Sequence, residues 1–292
     1  MLGRVWREAS GDQIPMVAAS CGFYALLALF PGISFLISLY GLLLDPVRVE
    51  RQLQAVRDVV PAEAFDLIAA QVHKLAAAGS TKLTWGLALS LLVALWSCMS
   101  GTKALLTSLN IAYEEQEKRS FLRYNLQALL FTLGGVLGVT LALAIIVGVP
   151  AVLNLTWLGT GEALAVRVIS FLLLLGFVML GLAVLYRFGP SREEPRWHWV
   201  TPGSVAAAIV WVVASLLFSF YVGTLGSYDA TYGPLGAVVV MLMWFWISAF
   251  VVLLGAELNA ELELQTKRDT TTGPDRPMGE RGAFAADHVA IG

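Results

Sequence analysis

Ala237-Val238-Val239-Val240-Met241-Leu242 and Phe171-Leu172-Leu173-Leu174-Leu175 are unbroken apolar runs, set inside longer apolar windows, 235–258 and 164–186. A membrane β-strand has about ten residues and alternates apolar with polar side chains, so runs without alternation exclude a barrel. A helix rising about 1.5 Å per residue needs about 20 apolar residues to cross a hydrocarbon core about 30 Å thick. In that core every backbone N–H and C=O must find its partner within the segment, which a helix achieves. Four further windows meet the same requirement: 17–44, 83–109, 126–153 and 203–225. Each of the six has 23 to 28 residues, enough to span with some tilt.

Of all the Asp, Glu, Lys and Arg residues, only Lys103, Arg167 and Glu257 fall inside these windows. The 292-residue chain is 58% hydrophobic and 14% charged, with a mean hydropathy of +0.73. An average soluble domain carries about 25% charged residues. A water-soluble globule, a disulfide-stapled secreted module and a disordered chain are all excluded. The expected fold is all-α: a polytopic membrane protein with a six-transmembrane-helix bundle and an external amphipathic helical hairpin.

Short loops rich in Lys and Arg stay in the cytoplasm. Basic residues mark the N-terminal arm (Arg4, Arg7), the 110–125 loop (Lys118, Arg119, Arg123), the 187–202 loop (Arg187, Arg192, Arg196) and the tail (Lys267, Arg268, Arg276, Arg281). The alternate loops 154–163 and 226–234 have none. Both termini are therefore expected in the cytoplasm. The first external loop departs from this pattern, but its five basic residues are spread beside five acids. Residues 1–16 lack the apolar run of a cleavable signal, so the first window is expected to remain as an anchor.

Three regions follow: a cytoplasmic arm, 1–16; a six-helix membrane domain, 17–264; and a cytoplasmic tail, 265–292. Within 46–78, Val49, Leu53, Val56 and Val60, then Phe65, Ile68, Val72 and Leu75, recur at helical spacing on either side of Pro61. This hairpin is expected to lie on the outer head groups or cap the bundle, and could dock an envelope protein partner. The tail, with Thr270–Gly273, Pro274 and Pro277, has turn formers and few apolar residues, which predicts disorder.

His73, His198 and His288 fall in separate segments without metal-ligand spacing, and Cys21 and Cys98 lie in different spans. No nucleophile elbow or phosphate-binding glycine loop occurs. No catalytic residue, cofactor, metal or nucleic-acid partner is expected, and the pairs Glu114/Glu115 and Glu193/Glu194 read as solvated loop charges. The polarity left inside the membrane carries the functional expectation, because a mid-span charge costs about 2.5–3.5 kcal/mol on insertion scales. Ser100, Lys103, Thr107 and Asn110 share one face of the second span. Arg187 ends the fourth span, and Glu257 and Asn259 end the sixth, in the same leaflet. Lys103, Asn110, Arg187, Glu257 and Asn259 are the candidate substrate- or ion-contacting residues. A Lys103–Glu257 ion pair is sterically open to them, as structure or as part of a site. Pro31-Gly32 predicts a kink, or an unwound break, midway along the first span. Gly134, Gly135 and Gly138 predict a small-residue packing face on the third.

Several stretches are similar to those of the YihY/virulence-factor BrkB family of bacterial inner-membrane proteins. They are Phe23-Tyr24-Ala25-Leu26-Leu27-Ala28-Leu29-Phe30-Pro31-Gly32, Ala94-Leu95-Trp96-Ser97, and Leu109-Asn110-Ile111-Ala112-Tyr113-Glu114-Glu115. Leu185-Tyr186-Arg187-Phe188-Gly189-Pro190 and Gly255-Ala256-Glu257-Leu258-Asn259-Ala260 continue the resemblance, which covers about 10–264. It implies a six-helix membrane bundle and assigns no catalytic or binding residue. Members have carried a ribonuclease label or links to serum resistance, envelope lipid handling and export of small amphiphiles. The leading expectation is an exporter or translocator of a lipid or small amphiphile, contacting membrane lipids. The alternatives are a non-transporting envelope scaffold and, third, a hydrolase or ribonuclease.

Overall fold

The computed structural model describes residues 2–43, 84–155, 160–224 and 234–290. Eight helices occur among them: α1 (Leu2–Gly11), α2 (Ile14–Leu43), α3 (Thr84–Ala112), α4 (Phe121–Leu155), α5 (Thr160–Phe188), α6 (Trp197–Thr224), α7 (Pro234–Glu263) and α8 (Phe284–Asp287). Five are long and apolar enough to cross a membrane. A sixth joins them if α1 and the start of α2, bent by 63°, count as one span. The all-α membrane architecture is thus confirmed. The expected hairpin 46–78 and residues 226–233 of the loop before α7 lie outside the described residues.

Each helix overruns its apolar window at the basic-loop end, α6 starting at Trp197 and α7 continuing through Glu263. The window stops where polar side chains begin, but backbone hydrogen bonding does not. The extra turns place polar residues on rigid helix rather than on loop.

The chain divides into two compact units, Tyr24–Thr102 and the remainder. In the first, α2 and α3 approach closely across glycine: a Cβ on Gly101 would lie 3.5 Å from the Tyr24 carbonyl, and one on Gly32 3.4 Å from Cys98 Sγ. The helix runs uninterrupted through Pro31, so the unwound break considered there does not occur. The chain bends instead between α1 and α2, where Gln13 adopts a φ of 52°.

In the larger unit α7 packs against α6, α6 against α5, α5 against α4, and α1 against α7. Its core is dominated by alanine, including Ala18, Ala183, Ala207 and Ala256. Helix axes come close because those side chains are small. Leu130, Phe171, Leu173, Leu217 and Phe220 point outward, as lipid-facing residues do. The glycine face expected on the third span packs against little among the described residues: added Cβ atoms on Gly134 and Gly135 would meet none of them within 4 Å, and one on Gly138 only the Phe177 ring. α1 lies against α7 through Val5 and Ala9, leaving Trp6, Arg7 and Glu8 exposed.

Residues 265–290, for which composition predicts disorder, are folded. Arg281 is buried and donates to the carbonyls of Arg276 (3.0 Å), Arg268 (3.3 Å), Ala286 (2.7 Å) and Lys267 (3.0 Å). Asp269 accepts from Thr271 N and Oγ1 and from Arg276 N, and Asp287 accepts from Gly279, Arg281 and Gly282 N. The tail pairs with the α5–α6 loop through Arg196 N to Thr270 O and Thr272 N to Glu194 O, both 2.9 Å. Charged side chains thus substitute for an apolar core by closing turns on one another. Arg281→Ala removes four charge-assisted bonds, each contributing about 1.5–3 kcal/mol. Trypsin should then cut at Lys267 and Arg268 at least about tenfold faster while the thermal melt of the helices holds. An unchanged cleavage rate would contradict this account of the tail.

Candidate functional site

The C-terminal ends of α3, α5 and α7 meet the N-terminal ends of α4 and α6 in a polar layer. Asn259, fully buried on α7, bonds to two segments: on α6, Oδ1 accepts from Gly203 N (2.7 Å) and Nδ2 donates to Val200 O (3.3 Å), and just past α3, Nδ2 donates to Tyr113 Oη (3.4 Å). Pro202 lacks an N–H and disturbs the α6 backbone ladder at that point, and the Asn259 amide takes up the groups that flank it. Tyr186 donates to Val252 O at 2.7 Å. Asn110 joins the α3–α4 and α5–α6 loops, accepting from Ser191 N (2.7 Å) and donating to Glu117 (3.1 Å).

Glu117 also accepts from Arg119 N (3.0 Å) and Nε (2.7 Å). Partial burial opposes ionisation there, but the bonds from Arg119 and Asn110 win and hold the carboxyl at about 2, below its ordinary 4.5. A depressed folded-state pKa adds stability that is complete above about pH 4.5 and is lost as pH falls towards about 2. Between pH 5 and 3 the wild type should therefore lose more of its melting temperature than Glu117→Gln, and equal losses would refute this.

Arg187 pairs with Glu194 at 3.0 Å and lies over the Trp197 and Phe188 rings, its centre 4.6 and 5.2 Å from theirs. Lys103 sits on the expected face of α3, where Tyr124 of α4 donates to its carbonyl (3.1 Å) and meets Thr107 (3.2 Å). No ion pair joins Lys103 to Glu257 among the described residues. The groups flanking Glu257 are carboxyls instead: Asp12 at the bend, Glu8 of α1, and Glu261 one turn on. The structure therefore divides the five candidates. Asn110 and Asn259 stitch backbone segments, Arg187 is held by Glu194 and rings, and Glu257 stands among acids.

Glu257 borders a crevice of about 240 Å³, counting its open mouth, lined by Glu8, Ala112, Tyr113, Glu114, Ala260, Glu261, Leu264, Phe284 and Ala285. The side chain is only 2% exposed, and its Oε1 has no hydrogen-bond partner. Glu261 is met by Arg4 at 3.4 Å. Glu114 at the rim has its pKa raised by partial burial and by the carboxylates of Asp12 and Glu8, with His288 acting against them. No three described His, Cys, Asp or Glu residues converge closely enough to hold a metal ion.

Sequence reading missed three features. Glu115 is not a solvated loop charge: it is buried, accepts from Phe284 N (2.6 Å) and pairs with Lys118 (3.0 Å). Arg192 and Glu263, both with fully buried side chains, pair at 2.6 Å, with Arg192 also over the Tyr113 ring. The approach of Asp12 and Glu8 to Glu257 depends on the bend before α2. Helical spacing connects none of these partners, because each joins segments distant in sequence.

An all-α membrane protein with a polar, acid-lined crevice at one end of its helices is the class that fold and site define. A family model described as Virulence factor BrkB matches residues 5–279, and the chain belongs to that family. It is 31% identical over 259 residues to YfkH of Bacillus subtilis (strain 168), named as ribonuclease-like, covering 86% of this chain and 90% of that one. It is 29% identical over 264 residues to a UPF0761 membrane protein of Laribacter hongkongensis (strain HLHK9), covering 88% of this chain and 60% of that protein. A UPF0761 membrane protein of Haemophilus influenzae (strain 86-028NP) is 22% identical over 262 residues, covering 88% of this chain and 93% of that one. No solved structure matches.

Proposed function

We propose that the protein is a translocator or exporter of a lipid or small amphiphile, resident in a bacterial inner membrane with both described chain ends in the cytoplasm. The observation that carries this reading is the Glu257 carboxyl. Two residues away on α7, the equally buried Asn259 has its polar atoms bonded, and Glu263 has an arginine. A buried carboxyl oxygen without a donor is costly, and an ionisable side chain kept in a membrane span is functional by default. In this reading a head group enters from the cytoplasmic leaflet at the crevice that Glu257 borders.

Purified protein in vesicles tests the proposal. Labelled lipids or amphiphiles should cross at least about tenfold faster than in empty vesicles, and Glu257→Gln should remove most of that gain without lowering the thermal melt. Crossing no faster than in empty vesicles would end the transport reading.

A further inference from the structure

Arg167, one of the three charges inside the apolar windows, belongs to no part of the polar layer. It lies on α5, the most apolar of the five candidate spans, at an exposed position. No described residue bonds or ion-pairs with it. Glu162, the nearest acid in the sequence, is five residues back, which turns it about 140° away around the helix. Arg167 stands instead in a lipid-facing strip. Leu164 before it is 64% exposed, Phe171 after it is 52% exposed, and Leu174 and Val178 continue the same face, partly exposed.

The position along α5 says what such a cation meets. Arg187 lies twenty residues on, about 30 Å along the helix axis, which is the thickness of the hydrocarbon core. Val168–Tyr186 between them holds no charged residue. The two arginines therefore bracket one bilayer crossing and are satisfied in opposite ways. Arg187 is buried and takes Glu194 and two rings from its own chain. Arg167 faces outward at the other boundary, and helical side chains lean toward the helix N-terminus, here away from the hydrocarbon. We propose that Arg167 holds the phosphate of a phospholipid in the leaflet opposite the polar layer, with an acyl chain along Phe171, Leu174 and Val178. The guanidinium fork matches the two non-bridging oxygens of a phosphodiester, and a long cationic side chain at a span end extends to head-group level. A cation with an apolar strip on its inner side repeats the order of a phospholipid's own parts. The assignment concerns a lipid resting on α5 and holds whether or not the protein transports.

Photocrosslinking of the full chain in maltoside micelles, which bring no phosphate of their own, tests this. Phosphatidylglycerol with a diazirine near the top of one acyl chain should label α5 between Leu164 and Val178. Labelling there should be at least about fivefold weaker in Arg167→Gln. Arg123→Gln, which removes an exposed arginine at the start of α4, should label as the wild type does. Diacylglycerol with the same diazirine lacks the phosphate and should label wild-type α5 no more than phosphatidylglycerol labels Arg167→Gln. This arm needs no variant to fold. Equal labelling by the two lipids, equal labelling of the wild type and Arg167→Gln, or the same loss in Arg123→Gln overturns the proposal. A wild type that is dimeric in native mass spectra while Arg167→Gln is monomeric also overturns it, because the anion would then come from a second copy.

Discussion

Replacing Gly203 by alanine should lower the melting temperature of the detergent-solubilised protein by on the order of 10 °C, whereas Gly134→Ala should leave it unchanged or slightly higher. A Cβ on Gly203 would overlap the carbonyl oxygen of Gly255 and sit 2.5 Å from Asn259 Cγ. The contact is reciprocal, since a Cβ on Gly255 would lie 2.8 Å from both Gly203 O and Ala207 Cβ. Backbone meets backbone there, and neither side has a rotamer to yield. Overpacking of this kind costs about 1–3 kcal/mol or more. Driving α6 from α7 also strands Gly203 N and Val200 O, for about 1–3 kcal/mol each. The sum, about 3–5 kcal/mol or more, converts to the expected loss at about 2–4 °C per kcal/mol for a chain of this size. Gly134 faces open space, so alanine there gains helix propensity, about 1 kcal/mol at most. Equal melting temperatures for the two variants would mean that α6 and α7 are not locked at this crossing.

That pair of glycines shows what the sequence could and could not disclose. The spans were legible because apolar length is a local property and the bilayer sets its scale. The Lys103–Asn110 face was legible for the same reason, as one helix carries it. Which glycines sit at a crossing is decided by the neighbouring helix. The three glycines of the third span form the denser local pattern, yet two of them meet nothing. The tail was misjudged because composition scales treat polar residues as seeking water, whereas Arg281, Asp269 and Asp287 close turns on backbone groups. For Glu257 the expected neighbour was Lys103, and the structure gives it acids instead. The bend at Gln13 aims Asp12 and Glu8 at it, and no periodicity announces that bend.

The buried pair Arg192–Glu263 should give the other large effect, and a double substitution should divide it in two. Both side chains have no exposed surface, and Glu263 Oε2 also accepts from Thr270 Oγ1 at 2.8 Å. Arg192→Met leaves a carboxylate buried without its cation, and Glu263→Leu leaves a guanidinium with only the Glu193 carbonyl and the Tyr113 ring in contact among the described residues. Removing one member of a buried pair costs about 3–5 kcal/mol, because the survivor has lost water and gained nothing. Replacing both by apolar groups of similar volume is commonly neutral or stabilising, since the desolvation of two charges disappears with their attraction. The double variant should therefore melt near the wild type while each single variant melts on the order of 10 °C lower. Its tail should still be loosened, because Thr270 loses the acceptor that ties residues 265–290 to α7. Faster trypsin cleavage at Lys267 and Arg268 in a thermally intact double variant would show that the pair serves the helices by being balanced and the tail by being polar. A double variant as unstable as either single would show that the pair stabilises the helices through attraction that packing cannot replace.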